Sequence, residues 1–289
     1  MTATATALTI TEPGIYDGIP DDVYHADPIP GGSLSSTGAR KLLPPSCPAR
    51  FDHERRNPPA STPAFDLGKV AHALVLGVGQ PTKVINAPDW RTKAAREERD
   101  AAYTAGLVPI LEADYQRAVD MADAIRRHPL AAALLHPDRG QAEQSAFWRD
   151  PRTGIWRRAR FDYLRTNLIV DLKTCETADE EHVRRAIHTY GYHQQAAFYL
   201  DALRDLEVSD DPAFVFVFVE KRPPHLVHVI QLDDLALATG DDRNRQAIDT
   251  YVNCTTTGVW PGYPWPRRDD DITTVSLPPY ALTAQEHLS

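Results

Sequence analysis

Phe161-Asp162-Tyr163-Leu164-Arg165-Thr166-Asn167-Leu168-Ile169-Val170-Asp171-Leu172-Lys173 is two apolar-rich runs joined by a Thr-Asn turn, and both runs read as strand. Side chains alternate along a strand, so Asp171 and Lys173 share one face while Val170 and Leu172 point to the other, into the core. The turn at Thr166-Asn167 folds the Asp162 strand back beside them, and two carboxylates and an ammonium converge. Carboxylates held together repel unless a cation sits between them, and oxygen ligands of this kind suit Mg²⁺ or Mn²⁺, with the backbone carbonyl of Leu172 as a further donor. Because Asp171 and Lys173 occupy the polar face, exchange of either is expected to spare the fold. Alone, an Asp-x-Lys also fits a solvated strand face carrying an ion pair.

Working outward, 143–148 and 155–164 are two more strand-like runs around the turn signal Asp150-Pro151-Arg152-Thr153-Gly154, which completes an antiparallel meander of three strands. Glu143 opens the first of these and can present a third carboxylate, although a surface glutamate would look the same. On the N-terminal side, 37–43 is a short helix capped by Ser35 or Ser36, 48–56 a second, and 65–76 a buried one. Gly68 and His72 lie four apart on one face of that buried helix; a lone buried histidine is ordinarily structural. Helices are also expected over 91–103, closed by Gly106, and over 112–135. After the meander come helix over 178–206, a hairpin of 213–220 and 226–232 around Pro223-Pro224, and a helix over 242–254. Gln195 and Tyr199 share a helix face with small residues between them, which permits close approach to a backbone or a phosphate. The class is α/β, a central mixed sheet flanked by helices.

The chain has 289 residues, 42% hydrophobic, enough for one large core. It shows no run near the roughly 20 apolar residues of a membrane helix and no basic-then-apolar start, so a soluble cytoplasmic protein with no membrane partner is expected. Cys47, Cys175 and Cys254 form no CxxC pair, which argues against structural zinc or an iron–sulfur cluster. Net charge is −9, adverse to a polyanionic partner, but Arg91, Lys93, Arg96 and Arg99, and Arg152, Arg157, Arg158, Arg160 and Arg165, are expected to form local basic clusters able to line a cleft.

In the order GxxxH, E, D, DxK, QxxxY, these residues resemble the RecB-like branch of the PD-(D/E)xK nuclease superfamily, which includes lambda exonuclease. More narrowly, Gly14-Ile15-Tyr16, Tyr24-His25, Ser33-Leu34-Ser35-Ser36, Cys47-Pro48-Ala49-Arg50-Phe51, Gly191-Tyr192, Cys254 and Gly258-Val259-Trp260-Pro261-Gly262-Tyr263 are similar to the RecE-type phage and prophage exonuclease (exonuclease eight) C-terminal domain. Phe161 stands where the namesake motif has proline, which leaves the ligands intact, and the cysteine set of the iron–sulfur members is missing.

The resemblance implies a restriction-endonuclease-like core, with one exonuclease domain over 14–265 between a flexible arm, 1–13, and a tail, 266–289. On these residues it implies that His72, Asp162, Asp171 and the Leu172 carbonyl bind Mg²⁺, Mn²⁺ substituting, with Glu143 helping directly or through water. Lys173 would position or activate the attacking water, and Gln195 and Tyr199 would orient the Asp171–Lys173 strand or a scissile-strand phosphate. Arg160 would contact phosphate or neutralise the carboxylates, and Tyr192 would contact nucleic acid. By resemblance alone come 5′-to-3′ digestion of double-stranded DNA ends, a homo-oligomeric ring and a RecT-like single-strand annealing partner. The same residues also permit an endonuclease, a silent DNA-binding recombination scaffold or a hydrolase of small phosphoesters. The intact charged set counts against the scaffold, and the absence of GxxxxGK[ST] against a phosphate-cradling loop.

Overall fold

A computed structural model describes residues 8–57, 63–263, 272 and 274–277, with the backbone alone for 63–65. The chain enters through β1 (Gly14–Tyr16), α1 (Asp21–Ala26) and β2 (Leu34–Ser35). Of the expected arm, residues 1–7 lie outside the described residues. Ile10 is buried and its N–H donates to the Pro28 carbonyl at 3.0 Å, which anchors the arm at that residue, while its described neighbours 8, 9 and 11–13 are exposed. Ser35 Oγ accepts the Gly38 N–H at 3.1 Å and starts α2 (Ser36–Lys41), and Pro48 occupies the first turn of α3 (Pro48–Arg56).

Next come α4 (Pro63–Leu76) and an excursion of β3 (Thr82–Ile85), α5 (Lys93–Thr104) and β4 (Val108–Leu111), in which α5 is the helix expected over 91–103 and the two strands, which the sequence pattern did not reveal, pair in parallel. The helix expected over 112–135 is in fact two, α6 (Glu112–Arg127) and α7 (Pro129–Leu134). Pro129 forces the residue before it out of the helical region, so His128 is extended (ψ 114°) and its ring Nδ1 accepts the Ala131 N–H at 3.2 Å instead.

The meander forms as expected from β5 (Gln141–Arg149), β6 (Trp156–Leu164) and β7 (Leu168–Cys175). The expected helix over 178–206 is broken into α8 (Glu180–Thr189) and α9 (Tyr192–Asp205) by Gly191, whose φ of +64° lies in the left-handed region that glycine tolerates. β8 (Ala213–Glu220) and β9 (Val227–Ile230) make the second hairpin, and α10 (Asp234–Thr257) starts eight residues before the expected 242, capped by Asp233.

The main sheet runs β1-β5-β6-β7-β8-β9. The β7–β8 pair is parallel over its whole length and covered on both faces, which is why Ala213–Glu220 reads as a nearly continuous apolar run. On one face Phe161, Ile169, Phe214, Phe216 and Phe218 pack under Phe198 and Leu203 of α9 and Ile248 of α10; on the other Val170, Leu172, Val217 and Val219 pack under Val70 and Ala71 of α4 and Met121 and Ile125 of α6. Each such buried side chain contributes about 1.5–3 kcal/mol. Helices α9 and α10 approach so closely at Gly240 that a Cβ there would stand 2.2 Å from the His193 carbonyl oxygen.

One topological detail positions the site. β6 pairs with β7 only at Tyr163↔Val170 and Leu164↔Ile169, while β2 runs parallel to it at Arg157 and Arg158. Between those contacts β6 and β7 part, leaving a fork. No described helix is long and apolar enough to cross a membrane.

Candidate active site

Asp162 sits in the fork, and its carboxylate takes over where the strand ladder stops: Oδ2 accepts the Leu172 N–H at 2.8 Å. From the other side His72 of α4 brings its Nδ1 to 3.6 Å of the same oxygen, and the imidazole also has a hydrogen bond with the Leu172 backbone. Burial lowers the His72 pKa, Asp162 opposes that and Lys173 adds to it, so the ring is neutral with a lone pair to offer. Gly68, one turn earlier, lines the same cleft and faces Thr174 of β7.

Asp171 and Lys173 share a face of β7, as the alternation requires, but that face is not solvated. It looks into α9, and the Asp171 side chain is only 1% exposed. The Lys173 ammonium lies 2.5 Å from Asp171 Oδ2 as an ion pair without hydrogen-bond alignment, and Gln195 Nε2 donates to Oδ1 at 2.7 Å. Burial pushes the Asp171 carboxyl up to about 7 against the pull of Lys173, with Asp162 adding to the rise. For Lys173, burial favours the neutral amine, but Asp171 and Asp162 outweigh it and hold the ammonium charged. Tyr199, one turn on, is buried with its ring edge-on to Phe161 at 5.3 Å. The amide couples the Asp171 carboxylate to the core, with Tyr199 behind it. Tyr192 stands in front, with the Lys173 ammonium 5.0 Å from its ring centroid.

Glu143 lies across β5 from Asp162, since its neighbours pair as Ala142↔Tyr163 and Gln144↔Phe161. Its φ of +53° is unusual for a side chain that is not glycine, and it interrupts the β5–β6 bridge pairs at this point. Burial and the neighbouring Asp162 push its carboxyl up to about 7. Arg160 is 3.9 Å from Glu143, 3.4 Å from Asp21 and donates to the Ile19 carbonyl at 2.6 Å, with its guanidinium over the Tyr24 ring. It neutralises carboxylates here and is held by the N-terminal segment.

His72, Glu143, Arg160, Leu172, Lys173 and Tyr192 all line one cleft of about 1040 Å³. The rest of its wall was not anticipated: Asp17–Asp22, Lys69, Lys221, and Gly79–Pro81, Gly106 and Val108 of the β3–α5–β4 excursion. Lys69 is legible as part of the Gly68–His72 turn, and α5 of the excursion is legible too; its strands are not, because they are four residues each and β4 contains Pro109.

Of the two expected basic clusters only Arg160 reaches the wall of this cleft. Alternation along β6 sends Arg157 to the opposite face, where it is buried among Asp150, Asp201 and Asp205, while Arg158 pairs with Asp27 at 2.5 Å and Arg152 with Asp249 at 2.6 Å. Arg165 points to the Ala133 carbonyl. Arg91, Lys93 and Arg99 meet Asp89, Glu97 and Asp100 on the exposed surface.

Among the described residues no three His, Cys, Asp or Glu side chains meet around one point as a metal cluster would. The chemistry of the donor set nevertheless fits a hard divalent cation. Two carboxyls, Glu143 and Asp171, are each driven up to about 7 in part by Asp162, a repulsion that a cation among them removes, and a neutral imidazole and a backbone carbonyl stand beside them.

A family model described as "PDDEXK-like domain of unknown function (DUF3799)" matches residues 35–264. A search of curated protein sequences finds no significant match. Among solved structures, one from Eubacterium rectale described as a "Putative exonuclease" superposes with a TM-score of 0.59 at 15% identity, covering 87% of this chain and 93% of that chain. A phage related exonuclease from Haemophilus somnus covers 78% of this chain and 96% of that chain, at 10% identity and a TM-score of 0.35, too low to carry weight.

Proposed function

The chain belongs to the DUF3799 family of PDDEXK-like domains, and from that premise we propose that it is a divalent-metal-dependent exodeoxyribonuclease that digests linear duplex DNA 5′ to 3′ and leaves single-stranded tails for recombination. The observation that carries this reading is the fork between β6 and β7, which sets Asp162 against His72 and the Leu172 amide while Asp171 and Lys173 stand on the adjoining strand. His72, Asp162, Asp171, the Leu172 carbonyl and Glu143 would hold Mg²⁺ or Mn²⁺. A bound divalent ion supplies a more acidic water and offsets charge on the phosphoryl oxygens.

The chain's own residues do the rest. Lys173, charged and pinned by Asp171, presents N–H groups beside the cleft, where they orient a water or meet a phosphoryl oxygen as its charge grows. Gln195 keeps the Asp171 carboxylate from rotating, with Tyr199 behind it. End dependence does not follow from these groups, which hydrolyse any phosphodiester that reaches them; it is attributed to subunits closing in a ring around the duplex. A RecT-like annealing protein is the proposed recipient of the tails, and the domain is proposed to span 14–265.

Purified protein with Mg²⁺ is expected to release mononucleotides from end-labelled linear duplex and to leave a covalently closed circle intact, with activity lost in EDTA. Nicking of the circle at a comparable rate would replace the exonuclease reading with an endonuclease, and activity undiminished by EDTA would remove the metal. His72→Ala is expected to weaken Mn²⁺ binding, measured by calorimetry, by at least about tenfold. Unchanged affinity would make His72 a structural residue only.

A further inference from the structure

Tyr190 is 58% exposed, large and aromatic, and packed on one side only: its ring lies 5.6 Å from that of Tyr192 at a 35° tilt, and Tyr192 is backed by Phe216 and Phe218. The sequence of contacts from solvent inward is therefore Tyr190, Tyr192, Lys173, Asp171. We propose that Tyr190 is a stacking platform for an unpaired nucleobase of the strand whose phosphodiester enters the cleft, and so a positioning residue for substrate. The inference rests on the nuclease reading and adds to it the chemical feature that the site recognises, a splayed-out base beside the attacked phosphate.

Three observations carry it. First, the backbone under the exposed ring is fixed: the Arg40 guanidinium donates to the Tyr190 carbonyl and, at 3.2 Å, to Thr37 Oγ1. Arg40 also packs against the turn, since a Cβ on Gly191 would stand 2.6 Å from its Cδ. A ring whose backbone is already ordered loses little freedom when a flat ligand settles on it. Second, Tyr192 lines the cleft wall, so a base on the open face of Tyr190 continues an aromatic column that ends at the Lys173 ammonium. Third, the cations Arg40 and Lys173 flank the column, which suits a nucleotide carrying its own phosphate better than an apolar side chain of another protein. Stacking of this kind accepts any base, because every base has a π face.

The test uses the full chain in two arms. In the first, a single-stranded oligonucleotide with one 2-aminopurine is titrated with wild-type protein and with Tyr190→Ala, Tyr190→Leu and Tyr190→Trp in EDTA, where base stacking is read directly as fluorescence quenching. In the second, KM and kcat on linear duplex are measured with Mg²⁺. Quenching is expected with wild type and Tyr190→Trp and lost in Tyr190→Ala and Tyr190→Leu, whose KM rises by about tenfold with kcat changed less. Hydrolysis by wild type with quenching and KM unaltered in Tyr190→Ala overturns the platform and leaves the nuclease reading standing. Quenching that depends on Tyr190 in a protein that hydrolyses nothing supports the platform and removes the nuclease, and absence of both overturns both.

Discussion

Lys173→Ala is expected to lower the rate of duplex hydrolysis by about 10²–10⁴-fold, the range lost when a positioned proton-handling group or a charge-stabilising donor is removed. The argument is one of place. Lys173 lines the cleft, its ammonium is held charged by Asp171 and Asp162 despite burial, and the described residues put no other lysine on this stretch of β7. Asp171→Asn is expected to fall in the same range, because the amide can keep the bond to Gln195 by turning but no longer supplies the anion that pins Lys173. Asp171→Ala is the poorer probe. The polar-face reading forecasts an intact fold, whereas alanine empties a site that is 1% exposed and leaves Gln195 Nε2 as well as Lys173 without its partner, at about 3–5 kcal/mol. Single-turnover rates on end-labelled duplex, with circular dichroism to confirm folding, decide the matter. A folded Lys173→Ala that keeps more than a few per cent of activity refutes the assigned site.

Arg157→Met is expected to destabilise the protein by about 3–5 kcal/mol, a large share of the about 5–15 kcal/mol that holds a native domain together. The Arg157 side chain is 2% exposed, donates to Asp201 at 2.9 Å, lies 3.6 Å from both Asp150 and Asp205, and is sandwiched against Trp148 and Phe198 with ring centroids 4.8 and 4.2 Å away. Methionine fills the space but leaves Asp150 and Asp205 without the guanidinium they share and Asp201 with only the more distant Arg204, at 3.6 Å. Burial already raises the pKa of Asp201 and of Asp205 from 3.8, with Arg157 opposing it in each case. Without Arg157 both titrate higher still in the folded state. A folded pKa above the unfolded one means that the stabilising protons are fully bound below 3.8 and lost as pH rises through the folded value. The penalty of the substitution is therefore full near neutrality and shrinks on acidification. Urea unfolding at two pH values measures it. A loss below about 1 kcal/mol at pH 7, or a weakened DNA affinity of the folded fraction, would return Arg157 to the nucleic-acid surface where its sequence neighbours first suggested it.

The misplacement of Arg157 shows where sequence reading stops. Alternation sets Asp171 with Lys173 on one face of β7, as the strand stands, and by the same rule Asp162 shares a face of β6 with Arg160. The same rule applied to 157–160 would have split the basic run between faces; proximity in sequence was instead read as proximity in space. The meander, the buried helix carrying His72 and the strand 213–220 are legible because their patterns are long and uninterrupted, while the parallel pairing of 213–220 with β7 is not. The breaks at His128-Pro129 and Gly191 were written in the residues but overridden by the apolar pattern on either side. The fork cannot be read at all, because it depends on how far β7 pairs with β6 and on β2 taking the vacant stretch, the latter a contact between segments more than a hundred residues apart. The left-handed backbone of Glu143 is likewise imposed by the fold, since nothing local favours it in a glutamate.

β1 is three residues long, yet it lies along β5 as Gly14↔Phe147, Ile15↔Ala146 and Tyr16↔Ser145, and its tyrosine ring meets Phe147 edge-on at 5.8 Å. β5 has nine residues and would otherwise end the sheet with a long row of open amides and carbonyls, the kind of border that recruits strands from other molecules. The three residues that border β5 are thus a guard against self-association, and a chain without them is expected to be prone to precipitate.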